Sequence, residues 1–108
     1  MSSAYGIIVT MKAKEGKVDD LIEYCKHHFV RQFDGREPKA THASLIMPTP
    51  DAPNTVRLFE QWADTDGLEN HRSPDNVNTQ LFIKNVPPML DGEMEVSEAP
   101  MVHYSLKE

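Results

Sequence analysis

Cysteine, glycine, aromatic side chains and basic clusters are all scarce in this sequence, and each scarcity closes a route. One cysteine, Cys25, stands alone among 108 residues. No internal disulfide can form, so the fold must rest on its core. Cys25 lies among apolar residues of a predicted helix, where a buried, inert thiol is expected. Five glycines build neither a GxGxxG nor a GxxxxGK[ST] loop, so no dinucleotide or phosphate-loop site is expected. The five histidines show no HxH or HExxH spacing, and CxxC is absent. No metal site is expected, and no cofactor. Eleven Lys and Arg oppose seventeen Asp and Glu, for a net charge of −6. Without a basic stripe, nucleic acid is not an expected partner. No apolar run approaches the roughly 18 residues a membrane helix needs. Ile7, Ile8 and Val9 are too short a run for a secretory leader, and no basic segment precedes them. A cytoplasmic protein with no membrane contact is expected.

What is present has a globular balance, 39% hydrophobic and 26% charged. The length suits a single domain over residues 1–108. A domain this small exposes much of its surface, and burying more of it in an oligomer would help. No internal repeat or low-complexity segment is visible.

Hydrophobic periodicity divides the chain. Tyr5 to Met11 reads as a strand, with Ile7, Val9 and Met11 on one face and Gly6, Ile8 and Thr10 on the other. Lys17 to Phe33 reads as a helix carrying Val18, Leu21, Ile22, Cys25, Phe29 and Phe33 on one stripe, stopped by Asp34-Gly35. Ala40 to Met47 and Thr55 to Ala63 are strands flanking the proline-rich loop 48–54, an expected antiparallel hairpin. Asp64, Thr65 and Asp66 cap a short helix running through Leu68 to about Arg72. Ser73-Pro74-Asp75 breaks it and starts a second piece over Asn76 to Asn85, with Val77, Leu81 and Ile83 available for packing. Pro87-Pro88 ends that piece. Glu93 to Ser97 is a fourth strand, and Met101 to Ser105 a final strand or arm. The order β-α-β-β-α-β is the split β-α-β, ferredoxin-like α+β arrangement: one antiparallel sheet with its helices on one face. The other face carries large apolar side chains. A second copy of the same sheet is its simplest cover, which predicts a homodimer.

Period two in the third strand places Leu58, Glu60 and Trp62 on one face. Glu60 is a carboxylate flanked by apolar residues. It is either paired with a cation at a subunit interface or a pocket acid or base. Trp62 is either core or contact, or an apolar wall for a planar ligand. His71 lies one turn beyond Leu68 at a helix C-terminal end, as a capping histidine or a base. His28, beside His27, sits at the edge of the first helix's stripe and reads as solvated or satisfied. His42 shares a strand face with Ser44 and Ile46 and is placed to enter a pocket. His103 is near enough to the C-terminus to reach a partner subunit.

The stretch Phe59-Glu60-Gln61-Trp62-Ala63-Asp64, followed by Gly67-Leu68-Glu69-Asn70-His71, resembles the antibiotic biosynthesis monooxygenase family of dimeric α+β barrels. Those proteins show an aromatic-Glu-x-Trp strand end and a short helix ending in Leu-x-x-His. Residues 14–18 resemble the family's turn into its first helix, with Glu15 in place of proline. The likeness spans roughly residues 5–98. It implies a cavity between sheet and helices lined at Trp62 and His71. Among the activities it implies are cofactor-free oxidation of quinol-type aromatics, haem degradation and isomerisation of small phosphorylated sugars. The sequence departs from the haem-degrading branch, with His71 where tryptophan is usual and Leu81 where the haem ligand would stand. It departs from many other members at Ser73-Pro74-Asp75, where a second histidine is missing. The function expected is a cofactor-independent monooxygenase on a small aromatic or quinol-type substrate. His71 or Glu60 would be the base, with Trp62, Leu58 and His42 against the substrate. The alternatives are a non-oxidative isomerase, which would need a cationic pocket from Arg57, Arg72 or Lys84 if its substrate carried phosphate, and a non-catalytic ligand-binding dimer.

Overall fold

The structure is a computed structural model that describes residues 4–32 and 39–101. Its elements follow in the order β1 (Tyr5–Lys12), α1 (Val18–Arg31), β2 (Ala40–Ile46), β3 (Thr55–Trp62), α2 (Thr65–Arg72), α3 (Val77–Asn85), a 3-10 turn at Pro87–Met89, and β4 (Glu95–Pro100). The four strands form one sheet ordered β2-β3-β1-β4, every neighbouring pair antiparallel. This is the expected α+β, ferredoxin-like architecture. The central strands β1 and β3 are the two richest in alternating apolar residues, and they pair in full register from Tyr5 opposite Trp62 to Lys12 opposite Thr55.

Alternation decides the layers. Ile7, Val9 and Met11 from β1, with Val56, Leu58 and Trp62 from β3, are buried against the helices. From α1 they meet Leu21, Ile22 and Cys25, all buried. Each fully buried aliphatic side chain of this set contributes about 1.5–3 kcal/mol. α1 draws Asp19 and Asp20 into its first turn, where the helix dipole favours them. The expected stop at Asp34-Gly35, like Phe33, lies outside the described residues.

Three expectations need correction. β4 runs Glu95–Pro100 rather than Glu93 to Ser97. All six of its residues are exposed, so it is held by pairing to β1 and carries no apolar alternation to mark its ends. Met101 lies past its end and is not strand. Its N–H still donates to the Ala4 carbonyl at 2.8 Å, and residues 102–105 are outside the described set. On α3, Val77 and Ile83 face solvent at 69% and 53% exposure. The helix instead seats itself through Asn78, Phe82 and the following Val86, one face at i, i+4 spacing.

The sheet face away from the helices carries Ile8, 41% exposed, with Phe59 and Ile46. Met101 lies across Gly6 there, where a Cβ would fall 2.4 Å from its Sδ. No helix among the described residues is long and apolar enough to cross a membrane.

Candidate active site

Glu60 lies on the helix-facing side of β3 and is 3% exposed. A carboxylate this deep must be compensated, and three side chains of the same chain surround it. Gln32 Nε2 donates to Oε2 at 3.2 Å. His28 Nε2 lies 3.7 Å from the same oxygen. His71 Nε2 lies 3.9 Å from Oε1. The partners are thus intramolecular and need no subunit interface. Cys25 is completely buried nearby. Burial first, and then the Glu60 charge, push its thiol up to about 12, so it is inert in the folded protein.

His71 is brought to Glu60 by the short helix α2. Asp64 caps that helix by accepting from the Gly67 N–H at 2.9 Å and is tied to Lys39 Nζ at 2.9 Å. These two bonds hold the Asp64 carboxyl below its ordinary 3.8. α2 lies close over β3 because Gly67 has no side chain. A Cβ there would fall 3.4 Å from the Trp62 ring and 2.6 Å from Lys39 Cβ. His71 therefore rests on the Trp62 ring, centroids 4.7 Å apart. From α3, Thr79 Oγ1 meets His71 Nδ1 at 3.2 Å and donates to the His71 carbonyl at 2.5 Å.

A cavity of about 130 Å³ opens beside the Glu60–His71 pair. Val9, Leu58 and Glu60 form its sheet side, and Val96 and Met94 its β4 side. His28, His71, Thr79 and Phe82 close it from the helices. Phe82 also packs on the His28 ring at 4.9 Å. None of these lining residues is Lys or Arg. A larger open depression of about 540 Å³ lies at the α2–α3 junction, lined by Asn70, Ser73, Asp75 and neighbours. It is not joined to the Glu60–His71 pair through any shared lining residue.

The structure thus brings together Glu60, His71 and Leu58, with Trp62 behind His71 rather than at the cavity surface. It does not bring His42. The pairing of β2 with β3 slips by one residue between Ala40 and His42, which turns His42 to the open face. There it meets Ser44 Oγ at 2.6 Å and the Phe59 ring at 5.8 Å. His103 lies outside the described residues. Sequence reasoning missed His28 and Gln32 as site residues, although Leu21, Cys25, His28 and Gln32 follow one another at spacings of four, three and four on one helix face. It also missed Thr79 and Phe82. Among the described residues, His28 Nδ1, Gln32 Oε1 and Trp62 Nε1 are buried polar atoms with no hydrogen-bond partner. Among the described residues no group of three or more His, Cys, Asp or Glu is arranged to hold a metal ion.

No family model and no curated protein matches the chain. Solved structures do. A candidate antibiotic biosynthesis monooxygenase from Caulobacter crescentus superposes with a TM-score of 0.81 at 16% identity, over 94% of this chain and 92% of that one. Another so named, from Chloroflexus aurantiacus, gives 0.72 at 22% identity, over 95% and 97%. A protein from Shewanella oneidensis, whose name carries no activity, gives 0.76 at 21% identity, over 94% and 93%. At these identities the likeness is one of fold, shared over nearly the full length.

Proposed function

We propose that the protein is a cofactor-independent monooxygenase, a cytoplasmic single-domain homodimer that oxidises a small quinol-type aromatic with molecular oxygen. The observation that carries this reading is the pairing of Glu60 and His71. Two proton acceptors converge on a cavity whose other walls are mainly apolar and, among the described residues, hold no Lys or Arg. Such a site suits a neutral molecule with an acidic hydroxyl and repels an anion. At about 130 Å³ the cavity is of the order of one that admits a benzene ring, roughly 150 Å³, a scale that favours a single-ring substrate over a fused-ring one.

The chemistry follows from the residues. Oxygen reacts slowly with closed-shell molecules, so the substrate must be made electron-rich. His71 or Glu60 takes the phenolic proton, and the buried apolar walls of Leu58 and Val9 shield the resulting anion on the sheet side. For a hydroquinone, one oxygen atom replaces a ring hydrogen and the other leaves as water. The ring supplies all four electrons and ends as a hydroxyquinone, so no external reductant is required. Trp62 and Leu58 set the position of His71 and of the ring. The names carried by two of the structural neighbours support the reaction class.

The isomerase alternative fares worse where the substrate carries phosphate. Arg57 faces the opposite side of the sheet, Arg72 is paired with Glu98 on β4, and Lys84 is exposed. The test is oxygen consumption with a panel of substituted hydroquinones. One O2 per hydroxyquinone formed is expected, and His71→Asn or Glu60→Gln should lower the rate roughly 10²–10⁴-fold. Binding of these compounds with no oxygen uptake above autoxidation would leave a non-catalytic ligand-binding protein and overturn the proposal.

A further inference from the structure

We propose that Thr79 selects the tautomer of His71, placing the ring hydrogen on Nδ1 and leaving Nε2 as the proton acceptor of the site. The position of one hydrogen atom decides the tautomer. A threonine hydroxyl has a single proton to donate and lone pairs to accept with. Thr79 Oγ1 lies 2.5 Å from the His71 carbonyl oxygen. A carbonyl cannot donate, so the hydroxyl proton is committed there. The same oxygen lies 3.2 Å from His71 Nδ1. With its proton spent, it can only accept from that nitrogen. Nδ1 therefore carries hydrogen, and in the neutral ring Nε2 carries the lone pair.

The commitment of the hydroxyl is itself dictated by the fold. His71 is in the last turn of α2, where carbonyls lack intrahelical partners. The chain breaks at Ser73, and α3 restarts with Asn76 accepting from the Thr79 N–H at 3.0 Å. That cap fixes the backbone of Thr79, and its β-branched side chain has few rotamers. The hydroxyl then closes the end of α2 and orients the ring in the same stroke.

The consequence lies at the other nitrogen. Nε2 faces Glu60 Oε1 at 3.9 Å. A lone pair against a carboxylate is an unfavourable meeting until a proton comes between them, so the pair is set to draw one from a hydroxyl in the cavity. In the opposite tautomer Nε2–H would face Glu60 from 3.9 Å with favourable electrostatics, and no acceptor lone pair on the ring would face the cavity. Thr79 is thus a positioning residue. Its catalytic effect rests on the reading of His71 as base, but the tautomer does not.

The test is long-range 1H–15N correlation of the histidine rings in the substrate-free, full-length protein, at a pH where His71 is neutral. The wild type should show His71 protonated at Nδ1. Thr79→Val, which keeps the shape and removes the hydroxyl, should move the hydrogen to Nε2. Thr79→Ser should restore the wild-type pattern. A wild-type His71 protonated at Nε2 overturns the proposal, as does an unchanged pattern in a folded Thr79→Val. If that variant fails to fold, the wild-type and Thr79→Ser spectra decide alone. Where hydroquinone oxidation is measurable, Thr79→Val should lose about 10–100-fold in kcat with little change in KM, and Thr79→Ser should keep its rate. Spectra as expected in a protein that consumes no oxygen would leave the tautomer standing and refute the monooxygenase reading alone.

Discussion

Gly67→Ala asks whether α2 is seated as tightly as its packing implies. In an ordinary exposed helix, alanine is favoured over glycine by about 1 kcal/mol. That is roughly a 4–8 °C rise in Tm for a domain near this size. Here the added Cβ meets Lys39 Cβ at 2.6 Å, Lys39 Cδ at 3.3 Å and the Trp62 ring at 3.4 Å. The first distance is far inside the 3.5–4.0 Å optimum for carbon pairs. Relief is not available at the tip of a flexible side chain, because the offending atom is the Cβ of residue 39. Its carbonyl accepts from the Ala63 N–H at 2.8 Å, so the backbone there is held. Overpacking of this kind costs about 1–3 kcal/mol. Set against the propensity gain, the net is a loss of roughly 1 kcal/mol, seen as a Tm about 4–8 °C lower in a thermal melt followed by circular dichroism. Lys39→Gly removes the clashing carbon. The Lys39–Asp64 ion pair that it also removes is lost from both variants in that background, so its loss cancels in the cycle. In that background Gly67→Ala should become neutral or stabilising, a coupling of about 1–2 kcal/mol in a double-mutant cycle. A Gly67→Ala single variant that melts above wild type would refute the close seating of α2 on β3. With it would go the route by which His71 is held on Trp62.

The remaining predictions concern charge and assembly. The folded Asp64 carboxyl lies below its ordinary 3.8 because Lys39 and the Gly67 N–H bond its ionised form. Its contribution to stability is therefore complete above 3.8 and drains away as pH falls through the lower folded value. Asp64→Asn, which can still cap α2, should flatten the loss of stability between about pH 5 and 2 in denaturant titrations. An acid limb as steep as wild type's would place the linkage elsewhere. For assembly, light scattering should give twice the 12.3 kDa chain mass, and Ile8→Glu on the open sheet face should give the monomer. A wild-type monomer at micromolar concentration would refute face-to-face pairing of the sheets.

The parts of the fold legible in the sequence were those where one periodicity acts alone. Period two in β3 placed Leu58, Glu60 and Trp62 together because both its neighbours pair with it and one face is buried throughout. Helical spacing in α1 found Leu21 and Cys25, and the same stripe leads on to His28 and Gln32. His28 reads from spacing as the edge of that stripe and Gln32 draws no reading, because polarity on an apolar stripe does not by itself announce inward-facing chemistry. His42 was misplaced for a different reason. It does share a face with Ser44 and Ile46, but alternation alone does not say which face looks to the helices, and the register shift between Ala40 and His42 leaves that face open. α3 was misread through Val77 and Ile83 because apolarity outweighed register. Its buried face runs through Asn78 and Phe82, and a polar residue at the first position hides the stripe. Thr79 carries no pattern at all, since its role exists only once α2 and α3 are folded back on each other.

Among the described residues, His28 Nδ1, Gln32 Oε1 and Trp62 Nε1 are buried without partners, and each such atom costs about 1–3 kcal/mol. A chain selected for heat resistance alone would replace these side chains and Glu60 together with apolar ones, since removing His28 and Gln32 alone would leave a buried carboxylate uncompensated. The centre of this domain is therefore its least optimised region. Variants chosen by melting temperature should drift toward apolar residues at positions 28, 32 and 60 as a set and lose the carboxylate as they do. Screening for thermal stability would then select against the chemistry of the cavity.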